Sequence, residues 1–187
     1  MKRLLIVLFA GLVLAGCDSS GVDPLAPKTA SNVNLKKYQG TWYELARLPM
    51  YFQRNCEQSE AHYSLKPDGN MAVLNRCLTE QWQWEEAKGT AYPQVPGKTD
   101  KLWVEFDTWF SWLIPAKGQY WVLYVGDDYK TAIVGDPSRR YMWLLSRTPT
   151  VNNDVREELL SKARQQGYDT TRLVWRASDK QMAKTSH

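Results

Sequence analysis

Histidine is nearly absent from this chain: His62 and His187 are the only two in 187 residues. One internal histidine in a strand-like segment supplies no Ser-His-Asp arrangement, and His62 reads as a surface strand residue. Cysteine is scarce, at three residues, and there is no Cys-x-x-Cys, His-x-x-x-His, glycine-rich phosphate loop or EF-hand loop. The adjacent carboxylates Glu85 and Glu86 would fall on opposite sides of a strand and so form no acid–base pair. The sequence therefore presents no catalytic constellation, no metal-ligand set and no need of a cofactor, and it reads as a non-enzyme. Long apolar runs are missing too. The one that stands out, residues 4–15, is about a dozen residues, short of the ~20 of a membrane-spanning helix. The net charge of +4 is weak and scattered, which argues against nucleic acid as a partner.

What is present begins at the N-terminus. Lys2 and Arg3, the apolar stretch and the small residues before Cys17 have the layout of a secretory signal peptide over residues 1–16. Leu14-Ala15-Gly16-Cys17 resembles the lipobox of bacterial lipoproteins. That resemblance implies cleavage before Cys17, lipid attachment to its sulfur and its new amine, and a membrane anchor. Residues 17–32, rich in Ser, Pro, Gly and Ala, read as a tether. Residues 33–177 are long enough for one domain with its own core, and residues 178–187 read as a disordered tail.

With Cys17 assigned to lipid, Cys56 and Cys77 remain. An isolated pair in an oxidising compartment is expected to bridge, two free thiols being the alternative. They flank a hairpin signal in which Pro67-Asp68-Gly69-Asn70 separates two strand-like runs. A two-residue Asp68-Gly69 turn would place Glu60 opposite Cys77. Cys56 would then lie on the same side, two alternations further on, so closing the bond needs a bulge or bend near Cys56.

Nine Trp and ten Tyr are many for this length, and aromatics favour strands and apolar pockets. Short aromatic or β-branched runs recur at 41–48, in the two hairpin arms, and at 81–92, 101–107, 119–125, 129–135 and 141–146. Eight antiparallel strands at short spacing suggest a sandwich or an up-and-down barrel. After Pro149 the period changes. Val155, Leu159 and Ala163 recur every four residues, with acids early and bases late, a cap at Asn152 or Asn153 and a stop at Gly167. Residues 173–175 read as a short final strand.

Three motifs carry a resemblance. Gly40-Thr41-Trp42-Tyr43-Glu44-Leu45-Ala46 resembles the G-x-W-Y-E-x-A signature of the lipocalins. Gly126-Asp127-Asp128-Tyr129 stands where the family has its T-D-Y turn, without the threonine, and Arg147 stands where the family has a single arginine before the last helix. The chain is most similar to the bacterial outer-membrane and apolipoprotein D branch, whose Lys-Leu-x-Val-x-Phe and Tyr-Trp-x-Leu runs recur at 101–106 and 120–123. The resemblance implies an all-β fold: an eight-stranded antiparallel up-and-down barrel with one C-terminal helix and a short final strand. It implies that Gly40, Trp42 and Arg147 close the barrel base, with the guanidinium stacked on the indole. It carries a pocket role over to Trp143. It also implies a fatty acid or lysophospholipid carrier serving membrane maintenance under stress, at the outer membrane and facing the periplasm. Asp18 resembles an inner-membrane retention signal and leaves that location open.

Strand parity adds candidates beside the resemblance. Leu102, Val104 and Phe106 alternate with polar neighbours and should point inward, and Tyr63 shares a face with Ala61 and Leu65. For 120–125 both faces are apolar and parity does not decide. Residues 108–115 hold five large apolar side chains between two strands. Trp109 and Trp112 there are candidates for an apolar lip that touches ligand or membrane, the alternatives being a hairpin tip folded on the barrel or a homodimer contact. A tryptophan-rich envelope module that binds protein or glycan, with a filled barrel, is the competing reading of the whole.

Overall fold

The computed structural model describes residues 25–107 and 117–185. Cys17, the signal peptide, Trp109 and Trp112 lie outside the described residues. Eight consecutive strands run antiparallel: β1 (Gly40–Arg47), β2 (Cys56–Leu65), β3 (Met71–Thr79), β4 (Trp84–Pro93), β5 (Lys101–Phe106), β6 (Lys117–Val125), β7 (Thr131–Gly135) and β8 (Met142–Ser146). β1 pairs with both β8 and β2, which closes the sheet into a barrel. Closure removes the exposed strand edges that an open sheet would have to protect. A short helix α1 (Leu35–Tyr38) precedes β1, helix α2 (Asn153–Gln165) follows β8, and β9 (Val174–Trp175) adds to the far end of β1. Asn152 caps α2 by accepting from the Val155 N–H at 2.9 Å.

Two apolar clusters divide the core. One fills the lower barrel interior around Tyr38, Trp42, Val122 and Leu145; the other lies between the outer wall and α2, around Trp121, Leu123, Ile133 and Leu159. This division explains the doubly apolar run at 120–125: Tyr120 and Val122 face the interior, whereas Trp121 and Leu123 lie beneath the helix.

Three expectations are corrected. The β2–β3 register places Ser59 opposite Cys77 and Glu60 opposite Arg76, one residue away from the two-residue turn. Gly69 adopts φ +85°, and the Lys66 and Asn70 backbones pair, so the loop holds three residues, Pro67 to Gly69. A glycine in the left-handed region is what such a loop needs. A bulge between Cys56 and Gln58 then brings Cys56 beside Cys77, and the two form a disulfide with Cα atoms 5.3 Å apart.

The second correction concerns the tail. Asp179–Thr185 forms a helix, α3, and Met182 is 1% exposed. Ser178 supplies the start by accepting from the Gln181 N–H, and the Gln58 amide donates to Ala177 O and to Asp179. One deeply buried methionine and these bonds outweigh the polar composition that suggested disorder.

The third concerns residues 25–32, expected from their composition to belong to the tether. Residues 25–34 lie along the barrel wall, held where Ala30 N donates to Val122 O at 2.8 Å and Thr29 Oγ1 donates to Asp100 at 2.6 Å. These are backbone and short-side-chain bonds, which leave no periodic signature in sequence.

Candidate binding cavity

The base of the barrel is built around Trp42, which is fully buried and whose Nε1 donates to Tyr38 O at 2.7 Å. The Arg147 guanidinium lies 3.8 Å from the centre of the indole ring. Its nitrogens donate to five backbone carbonyls: Thr41, Lys37, Tyr38, Gln39 and Tyr129. The planar fork thus ties α1, the start of β1 and the β6–β7 turn into one plug. Gly40 has φ +98°, and a Cβ there would meet Arg147 Nη1 at 3.3 Å. Its lack of a side chain lets the strand enter under the guanidinium.

Above Trp42 three tyrosines meet. The Tyr120 hydroxyl bonds to those of Tyr38 (2.8 Å) and Tyr63 (3.0 Å). Burial pushes the Tyr63 phenol up to about 12 and raises Tyr38 and Tyr120 as well. The cluster therefore stays neutral through the physiological range. The native state holds these protons more tightly than the unfolded chain, whose tyrosines titrate near 10. Stability is therefore intact below pH ~10 and is lost as pH rises towards 12. Urea unfolding at pH 8 and pH 11 is expected to show this loss, and Tyr63→Phe to show a smaller one; an equal loss in both proteins would contradict it.

A cavity of about 520 Å³ opens above the tyrosines. Tyr63 and Tyr120 form its floor, and Val104, Phe106, Trp143 and Leu145 are in its apolar wall. Charged residues of both signs are also in the lining, among them Glu44, Glu85, Asp136 and Arg140. Of the residues singled out from sequence, Tyr63, Val104, Phe106 and Trp143 line this space. Leu102 does not: it is buried in the apolar cluster of the lower barrel.

A polar network that the sequence did not disclose fixes one wall. Arg47 Nη1 donates to Glu44 at 2.8 Å, and its Nη2 donates to Gln53 O and Cys56 O. Gln53 donates its amide to Glu44 and accepts from Trp143 Nε1 at 2.8 Å. Glu44 and Arg47 are 5% and 3% exposed. In a regular strand residues three apart face opposite sides. A bulge between Glu44 and Ala46 turns both to the interior. Asn75 also lines the cavity, and its Oδ1 is buried without a hydrogen-bond partner. Among the described residues no cluster of His, Cys, Asp and Glu could hold a metal ion.

Comparison with known proteins agrees with this architecture. A family model described as "Lipocalin-like domain" matches residues 33–178. The chain is 35% identical over 167 residues to "Outer membrane lipoprotein Blc" of Escherichia coli K12, covering 89% of this chain and 90% of that protein. It is 38% identical over 154 residues to "Temperature-induced lipocalin-1" of Arabidopsis thaliana, covering 78% and 80%. Insecticyanin from the tobacco hornworm Manduca sexta shares the fold, with a TM-score of 0.66 at 18% identity over 83% of this chain and 87% of that one. These proteins belong to a family of binding and carrier proteins rather than enzymes. The signature strand, the closed eight-stranded barrel and the matching family model lead to one conclusion: the chain belongs to the lipocalin family.

Proposed function

We propose that this lipocalin takes a single-chain lipid, a fatty acid or a lysophospholipid, into its barrel and serves the maintenance of the membrane that carries it. The observation that carries this reading is the cavity: a space of about 520 Å³ with an apolar wall above a tyrosine floor and charged groups of both signs in its lining. That volume falls within the ~300–1,000 Å³ typical of small-ligand sites. A sixteen-carbon chain buried at ~0.8 kcal/mol per methylene contributes on the order of 12 kcal/mol before association costs of several kcal/mol, which leaves micromolar or tighter binding. Arg140 suits a carboxylate or phosphate head at the opening, and the free Asn75 oxygen suits a glycerol hydroxyl. The competing interaction module requires a filled interior.

Anchoring follows the same line of support. Relatives named outer membrane lipoproteins extend over 89% of this chain, and the lipobox supplies Cys17 as the attachment point. No helix of the described residues is long and apolar enough to cross a membrane. The reading is a lipid-anchored domain at the outer membrane, facing the periplasm, with Asp18 as the residue that would redirect it to the inner membrane.

A fluorescent fatty acid and lysophosphatidylcholine titrated against the protein are expected to change tryptophan emission with a micromolar or lower Kd. Trp143→Ala is expected to weaken binding about tenfold, the loss of roughly 1.4 kcal/mol of wall contact. Unchanged emission at saturating lipid would overturn the carrier reading.

A further inference from the structure

We propose that the anchor holds the barrel mouth-down, with the cavity opening onto the bilayer that carries Cys17. The inference rests on the anchoring reading above and adds an orientation to it. The barrel has two distinct ends. The base carries Trp42, Arg147, the β2–β3 loop and the β6–β7 turn. The mouth carries the β1–β2, β3–β4 and β7–β8 connections. The N-terminal strap runs from one end to the other. Leu25 O accepts from Arg139 Nη2 at 2.6 Å, and Arg139 belongs to the β7–β8 turn at the mouth. Arg139 Nε also donates to Gln166 O at the end of α2, and the Gln166 side chain accepts from Lys28 N. Further along, Val33 N donates to Thr99 and Asn34 N to the Tyr129 hydroxyl, both at the base. The strap thus enters at the mouth and travels to the base.

This polarity decides where the anchor pulls. Eight Cα steps separate Cys17 from Leu25, at most ~28 Å when fully extended. Strands of up to ten residues, tilted as in an eight-stranded barrel, make the barrel wall about 25 Å tall. A base-down barrel would leave at most ~28 Å of chain to pass a wall about 25 Å tall before reaching the bilayer, whereas a mouth-down barrel needs almost none of that reach.

The rim has the side chains such a placement favours. Tyr51, Trp82 and Trp84 are 52%, 46% and 41% exposed, and all three lie on or beside mouth loops. Arg76 stacks over the Trp84 ring at 4.2 Å. Indoles and phenols with a polar edge settle at the headgroup level of a bilayer. Carboxylates such as Glu80 and Glu85 share the rim, so charge attraction is not the holding force. The tether supplies the local concentration and the aromatics the registry.

The test uses the full lipidated protein in phosphatidylethanolamine–phosphatidylglycerol vesicles with an energy-transfer acceptor on the headgroups. Cys56 and Cys77 are bonded and Cys17 is lipidated, so an added cysteine is the free thiol for a donor dye. Glu80→Cys labels the mouth and Lys36→Cys the base, both at exposed positions. Gln83→Cys and Lys98→Cys repeat the comparison, so one poorly folded variant does not decide it. Transfer from each mouth label is expected to exceed that from its base partner at least twofold. Equal transfer, or more from the base, in protein that floats with the vesicles overturns the orientation alone. Protein that fails to float overturns the anchoring reading and the orientation with it.

Discussion

Trp42→Ala is expected to lower the stability of the fold by about 3–5 kcal/mol, the range for deleting a large buried aromatic. For a chain of this size that corresponds to a fall in Tm of roughly 10 °C or more. The loss is large because the indole is shared: it fills the lower barrel and supports the Arg147 guanidinium at 3.8 Å. Without it the guanidinium keeps its charge and loses the surface that flattens it against the five carbonyls. Arg147→Lys should therefore also destabilise, by less, since an ammonium keeps the charge but cannot serve carbonyls on α1, β1 and the β6–β7 turn together. Thermal unfolding followed by circular dichroism checks both. A loss below about 1 kcal/mol for Trp42→Ala would show that the plug does not hold the barrel closed.

Glu44→Ala is expected to cost about 3–5 kcal/mol, for a different reason. It removes little apolar volume but leaves the Arg47 cation in the interior with only the carbonyls of Gln53 and Cys56 as partners. Adding Arg47→Met to the same chain should restore much of the loss, because an apolar side chain needs no counter-charge. The double mutant is then more stable than the sum of the two single changes predicts, and the difference measures the coupling. Urea unfolding of the four proteins supplies the cycle. Additivity within about 0.5 kcal/mol would mean that the two side chains act independently.

These two predictions lie at opposite ends of what could be read from the residues. Trp42, Gly40 and Arg147 stand in motifs whose order along the chain already implied their meeting, and the structure brings them together. The inward set of β5 was legible because that strand alternates apolar with polar residues. The β6 run was not, because two different apolar environments flank it. Glu44 and Arg47 were invisible as a pair, since only a bulge puts positions three apart on one side and no residue type announces a bulge. The same blindness displaced the β2–β3 register by one: Gly69 shifts a two-residue turn to a three-residue loop through a backbone angle. Leu102 shared the parity of Val104 and Phe106 but sits too low in the barrel, and parity carries no depth. Tyr38 and Tyr120 gave no warning that their hydroxyls converge with that of Tyr63, since α1, β2 and β6 are brought together only by closure of the sheet.

The irregularity at Leu45 has an evolutionary corollary. It splits β1 into two reading frames, so that even and odd positions exchange their inside and outside assignments partway along the strand. The sealed end and the receiving end of the vessel are thereby written in separate phases of one segment. Substitutions that retune the opening for a new cargo need not disturb the stopper, and a single-residue deletion at the slip would scramble one end while sparing the other.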